Sequence, residues 1–154
     1  MSVPRARMAH LGRDESGSAL IEVAVASPVL LMLVFGILQF GVVMNANVTL
    51  NDAVRVASRN LALSRGTPDP CSTTATKLRN AALDFTPANI GITITVNGSS
   101  FGPSSAPSCA GQGTTMTAGA DAVVQATYPC SAVVYGVDYM PGCTLRARTT
   151  VRIE

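Results

Sequence analysis

Histidine is almost missing from this chain: the single one is His10, close to the N-terminus. Histidine-based nucleophile triads and histidine metal clusters are therefore excluded from the rest of the sequence. Tryptophan is absent, only 13% of residues are charged, and Lys77 is the sole lysine. With a net charge of +2 and no cluster of basic residues interleaved with aromatics, the chain offers no nucleic acid a footprint. It has no Gly-x-x-x-x-Gly-Lys phosphate loop and no Gly-x-Gly-x-x-Gly turn. Close Cys-x-x-Cys pairs, the usual mark of a zinc site, are also missing. Asp69, Asp84, Asp121 and Asp138 are scattered among loops and element ends, and each reads as a cap, a turn residue or a solvated side chain. No catalytic residue, cofactor site or metal site is expected, and an enzyme is not expected.

What is present is apolar and concentrated in one place. Hydrophobic residues make up 47% of the chain, and no charge occurs from Val23 through Asn51. As a helix, Val23 to Met44 extends about 33 Å, enough to cross a hydrocarbon core. The run exceeds the ~7–15 apolar residues of a secretory signal peptide. Arg5, Arg7 and Arg13 precede it, and no charge follows until Asp52. Positive charge holds its own side in the cytoplasm, so the C-terminal part is expected outside. Membrane lipid is thus an expected partner.

Glu22 stands at the mouth of that run, five residues after Gly17. A carboxylate at the edge of a membrane-length segment is costly, by roughly 2–3 kcal/mol at the bilayer centre and less near the interface. Cleavage after Gly17 would create an α-amino group on Ser18, four residues before Glu22, and a helix places both on one face. The bland alternative for Glu22 is a side chain snorkelling to the headgroups.

Beyond the apolar run, Val43, Ala46, Leu50, Val54, Ala57 and Leu61 recur at helical steps, with Asn47, Asn51, Asp52, Arg55, Ser58 and Arg59 on the remaining positions. One helix from Ser18 to Arg65 is expected, stopped by Gly66 and Pro68. A second is expected over Thr73 to Asp84. Ile90, Ile92, Ile94 and Val96 alternate with polar residues and end at Asn97-Gly98, a strand pattern. Residues Gly98 to Gly119 read as a loop. Ala122 to Tyr128 and Leu145 to Ile153 supply two more alternating sets, the last with Arg146, Arg148, Thr150 and Arg152 on its outer face. The fold class is α+β: a small antiparallel sheet of about three strands covered by the amphipathic half of the long helix.

Cys71, Cys109, Cys130 and Cys143 all lie in the part expected outside, where an even count reads as two disulfides with three possible connectivities. Cys71 with Cys109 and Cys130 with Cys143 is the most local of the three. The apolar residues of this part are mostly Ala and Val, so the core is thin and the disulfides matter.

From Gly17 to Arg59 the chain resembles the TadE-like family, minor pilins or pseudopilins of the tight-adherence (Tad, Flp-type) branch of type IV pilus systems. The residues that carry the likeness are Gly17 with Glu22, the apolar run with Pro28, Gly36-Ile37-Leu38-Gln39-Phe40-Gly41 and Ala53-Val54-Arg55-Val56-Ala57-Ser58-Arg59. The ending, Leu145-Arg146-Ala147-Arg148-Thr149 to Arg152-Ile153-Glu154, is also similar. Glu22-Val23 stands where members often carry Glu-Phe. The resemblance implies a pilin-like fold with a leader over 1–17, a transmembrane and assembly helix over 18–44, and an exported head over 45–154 that includes the helix to about residue 65. It implies a prepilin peptidase cutting between Gly17 and Ser18, and other pilin subunits and a pilus assembly platform as partners. It places the protein in the bacterial inner membrane, single-pass, with its head outside the cytoplasm, and entering a surface pilus. The competing expectation is a single-pass, N-terminally anchored envelope protein whose head binds a partner without polymerising.

Overall fold

The computed structural model describes residues 15–114, 116–131, 133–134 and 136–154. Most of the expected leader, with His10, Arg5, Arg7 and Arg13, lies outside the described residues. The chain is α+β: a helix α1 (Glu15–Ala62), a helix α2 (Pro70–Ala81), and strands β1 (Gly91–Val96), β2 (Ser99–Ser104), β3 (Asp121–Pro129), β4 (Val133–Val134), β5 (Val137–Asp138) and β6 (Thr144–Arg152). It divides into two compact units, Met1–Phe40 and Gly41–Glu154.

In the first unit the described residues are one apolar helix. Leu20, Met32 and Phe40 are 71, 76 and 63% exposed, and apolar side chains of the same kind surround the helix on every side. Burying one such side chain gains ~1.5–3 kcal/mol, so a sheath of lipid or of other apolar helices suits this unit and water does not. Pro28 sits inside the helix without ending it. Proline has no N–H to give the carbonyl four residues back, that of Ala24. The Ser27 hydroxyl donates to the Ala24 carbonyl instead, at 3.4 Å, a local repair of the kind that lets membrane helices keep proline.

The second unit holds the core. Leu50, Ala53, Val54, Ala57 and Leu61 of α1 are buried with Cys71, Ala75 and Leu78 of α2. The sheet contributes Ile92, Ile94, Val96, Ala122, Val124, Ala126, Leu145 and Ala147 to the same cluster. Val43 and Ala46 lie partly buried against it. Ser58 departs from expectation: it is buried on the core side, its hydroxyl turned back to the Arg55 carbonyl at 2.9 Å. That internal bond removes the cost of burying it.

The sheet has four strands, not three, in the order β2-β1-β3-β6, every neighbour antiparallel. The additional strand is β2, within the segment expected as loop. Asn97 and Gly98 do not merely end β1; they form its two-residue turn, with φ of 49° and 80°, the left-handed pair that closes a hairpin. Val96 then faces Ser99. At the far end of this pair the register shifts between Ile92 and Ile94. There a Cβ on Gly102 (φ 113°) would collide with the Ile92 carbonyl, so only glycine fits. A separate two-stranded ribbon pairs β4 with β5.

The helix bounds differ from the sequence expectation, and α1 begins at Glu15, three residues before Ser18. α1 stops at Ala62, before Arg65, because Ser64 donates from its amide and its hydroxyl to the Leu61 carbonyl at 3.1 and 2.7 Å. α2 starts three residues earlier than expected and ends at Ala81. Asp69 caps it and Pro70 fills its first turn, where a missing N–H costs nothing.

Candidate functional site

Two places carry the chemistry. The first is the start of α1. Gly17 is the third residue of the helix and is half-buried, while Ser18 and Glu22 are exposed four residues apart. A Cβ on Gly17 would meet nothing within 4 Å. The helix thus continues across the Gly17–Ser18 bond, and a protease that reads extended backbone must unwind its first turn. Glycine eases that, since it weakens a helix by about 1 kcal/mol relative to alanine. Among the described residues Glu22 has no hydrogen-bond or ion-pair partner. This segment presents an exposed apolar surface with one carboxylate, Glu22, near its start.

The second place is the junction between α2 and the loop after β2. Cys71 is joined to Cys109 and Cys130 to Cys143, with Cα–Cα distances of 5.4 and 5.0 Å. Asp69 links the same two segments. Its Oδ1 accepts from the Ser72 amide at 3.1 Å and the Cys109 amide at 3.0 Å, and its Oδ2 accepts from the Ser108 hydroxyl. The Cys71 amide in turn donates to the Cys109 sulfur at 3.1 Å. Partial burial alone would raise the Asp69 pKa, but the hydrogen bonds from Ser108, Cys109, Ser72 and Cys71 outweigh it and hold the carboxyl below the ordinary value of 3.8. Asp69, Cys71 and Cys109 bring potential metal-ligating atoms within 4.8 Å of one another. The two sulfurs are spent on each other, so this grouping is a staple with its helix cap. A cap at Asp69 is legible in the sequence. Its hold on Ser108 and Cys109 is not, because those partners lie about forty residues along the chain.

That carboxylate gives a testable pH dependence. A depressed pKa contributes stability that is present above the unfolded value and is lost as pH falls through the folded one. Asp69→Asn keeps a capping side chain but removes the charge, so it should lower stability near neutral pH. The gap to the native chain should begin to narrow near pH 4 and go on narrowing as pH falls further, as read from thermal unfolding in detergent at pH 7 to 2.5. A gap unchanged with pH would mean that the charge plays no part.

Residues 17–59 match the family model of TadE-like protein. The TadE-like stretch lies wholly within α1, beginning at Gly17 and ending three residues before the helix does. It contains Ser18, Glu22, the apolar run and the buried face from Leu50 to Ala57. The TadE-like family is a structural, pilus-related one, and a TadE-like helix that is long and apolar enough to cross a membrane fits a pilin-like protein of a Tad system. No curated protein and no solved structure matches the chain.

Proposed function

We propose that this protein is a minor pilin or pseudopilin, a structural or assembly component of a Tad-type adhesion pilus. A prepilin peptidase cuts it between Gly17 and Ser18. The mature helix resides in the bacterial inner membrane with the disulfide-bonded unit outside the cytoplasm, and passes from lipid into a bundle of pilin helices. The observation that carries this reading is the family match that begins at Gly17, with Glu22 five residues on at the rim of an exposed apolar helix.

The physical route is short. Helices in lipid gain nothing from hydrophobic association, since the tails are as apolar as the side chains. Register between subunits has to come from shape and from the few polar groups present. A free ammonium on Ser18 and a carboxylate on Glu22 are opposite charges at one end of an otherwise neutral rod. The carboxylate also sits where the helix macrodipole favours it.

Mass analysis of the protein isolated from its native membrane tests the first step. The expected N-terminus is Ser18, with or without a methyl group. A chain starting at Met1 in the assembled, working state would instead make this an anchored envelope protein whose head binds a partner.

A further inference from the structure

Among the described residues the sheet ends on one side in β6, which pairs with β3 and with no other strand. Hydrogen bonds in line with β6 at its two ends fix which residues face away. The Cys130 amide donates to the Cys143 carbonyl at 3.2 Å, and the Ile153 amide donates to the Ala120 carbonyl at 2.9 Å. The register between them is unbroken, from Pro129 opposite Thr144 to Asp121 opposite Arg152. In an antiparallel ladder, residues alternate between bonding the neighbour and pointing away from it. The odd-numbered residues from 143 to 153 therefore face β3. Thr144, Arg146, Arg148, Thr150 and Arg152 turn their amides and carbonyls to the open edge.

The same residues carry their side chains on the outer face of the sheet, opposite the buried Leu145 and Ala147. Arg152 is engaged, its Nε donating to the Gly119 carbonyl at 2.8 Å. Arg146 and Arg148 are exposed and, among the described residues, have no hydrogen-bond or ion-pair partner. A long regular edge is a template for strand addition, and charged side chains along it reject most partners.

We infer that the β6 edge receives an extended segment of another protein with carboxylates at alternate positions, added to the sheet as a fifth strand. Backbone pairing supplies the attraction and the arginines supply the choice of partner. A second copy of this chain fits poorly. Antiparallel pairing of two β6 edges sets arginine rows against each other, and like charges facing across strands repel. The opposite edge, β2, contains Pro103, which has no N–H to give, and has an irregular register. An acidic strand meets neither obstacle. This inference stands apart from the filament reading, because an edge can be filled in either the pilin or the anchored protein.

The test uses the full chain in detergent micelles and a fluorescein-labelled peptide, Thr-Glu-Thr-Glu-Val-Glu-Thr-Glu-Thr, followed by fluorescence anisotropy. Saturable binding is expected, and the same peptide with its glutamate amides N-methylated should fail, since it keeps the charge but cannot pair. Arg146→Glu with Arg148→Glu should weaken binding roughly tenfold, and a peptide with lysine in place of glutamate should recover it. Both substitutions lie on the exposed face, and unfolding curves confirm that the variant is folded. Equal binding of the N-methylated peptide would reduce the effect to charge alone and overturn the inference. No binding of any peptide would overturn it as well.

Discussion

Cys71→Ser combined with Cys109→Ser is expected to destabilise the unit from Gly41 to Glu154 by about 4 kcal/mol in the chain-entropy account of cross-links. The two cysteines are 38 residues apart, so the bond removes a large share of the unfolded chain's freedom. Two further effects have the same sign. Both side chains are buried in the core cluster, and losing the bond frees the loop whose Ser108 and Cys109 hold Asp69. A natural domain has only ~5–15 kcal/mol to lose, so the midpoint of thermal unfolding should fall by on the order of 15 °C. The second disulfide is a control of known direction. Cys130 and Cys143 are 13 residues apart and only partly buried, and their double serine variant should cost about 3 kcal/mol. Unfolding by circular dichroism in detergent, without reductant, ranks the two. If removal of the Cys71–Cys109 bond costs less than removal of the shorter one, the core does not depend on that staple.

This dependence follows from the composition of the core. Leu50, Leu61, Leu78, Leu145, Phe85, Met116 and four isoleucines are its large members, while Ala53, Ala57, Ala75, Ala82, Ala122, Ala126 and Ala147 fill much of the rest. Alanine brings backbones close but buries little surface, and burial is what offsets chain entropy. The small side chains let α1 and α2 approach a sheet whose inner face is itself partly alanine. The cross-links then restrain the unfolded state that so thin a core competes against.

Periodicity decides which features of the fold the sequence displays. The face from Leu50 to Leu61 repeats every three or four residues, and the β1, β3 and β6 patterns repeat every two, because each element buries one side of itself. β2 buries almost nothing. Ser99 to Ser104 has only Phe101 as a large apolar residue, and all its neighbours are exposed. It is a strand because the Asn97-Gly98 turn delivers it to β1, and a turn signal inside a Ser/Gly/Pro-rich segment is easily read as a loop. The disulfide pairing is the most local of the three, as expected, but locality alone does not decide it. Three connectivities share one sequence, and only the fold brings the Cα atoms of Cys71 and Cys109 to 5.4 Å. The polarity of Ser58 suggests solvent, whereas a hydroxyl bonded to its own helix is tolerated in a core. The start of α1 was different. Gly17, Ser18 and Glu22 are linked by spacing along one helix, and spacing along a helix is the property a sequence displays most directly.

Glu22→Gln should produce two effects of opposite sign. In the lipid-exposed subunit the carboxylate is a cost, so its neutral amide should insert at least as well as the native residue, and the amount of protein in the membrane should not fall. On the proposed reading, the carboxylate in the assembled bundle is half of a charge pair with the Ser18 ammonium of a neighbour. Removing one partner of a pair held away from water leaves the other uncompensated, typically a loss of about 3–5 kcal/mol, far more than the net worth of the intact pair. Even a third of that, about 1.4 kcal/mol, is a tenfold change in an equilibrium. Incorporation into sheared surface filaments should therefore drop at least tenfold while the membrane pool holds or rises. Quantitative immunoblots of both fractions measure the ratio, and mass analysis checks that Ser18 is still the first residue. Gln is preferred to Ala because it keeps the size and the hydrogen-bonding capacity, so the difference isolates charge. A variant that enters filaments at the native ratio would show that Glu22 only rides at the headgroup level, and that register comes from the apolar surface between Val23 and Met44.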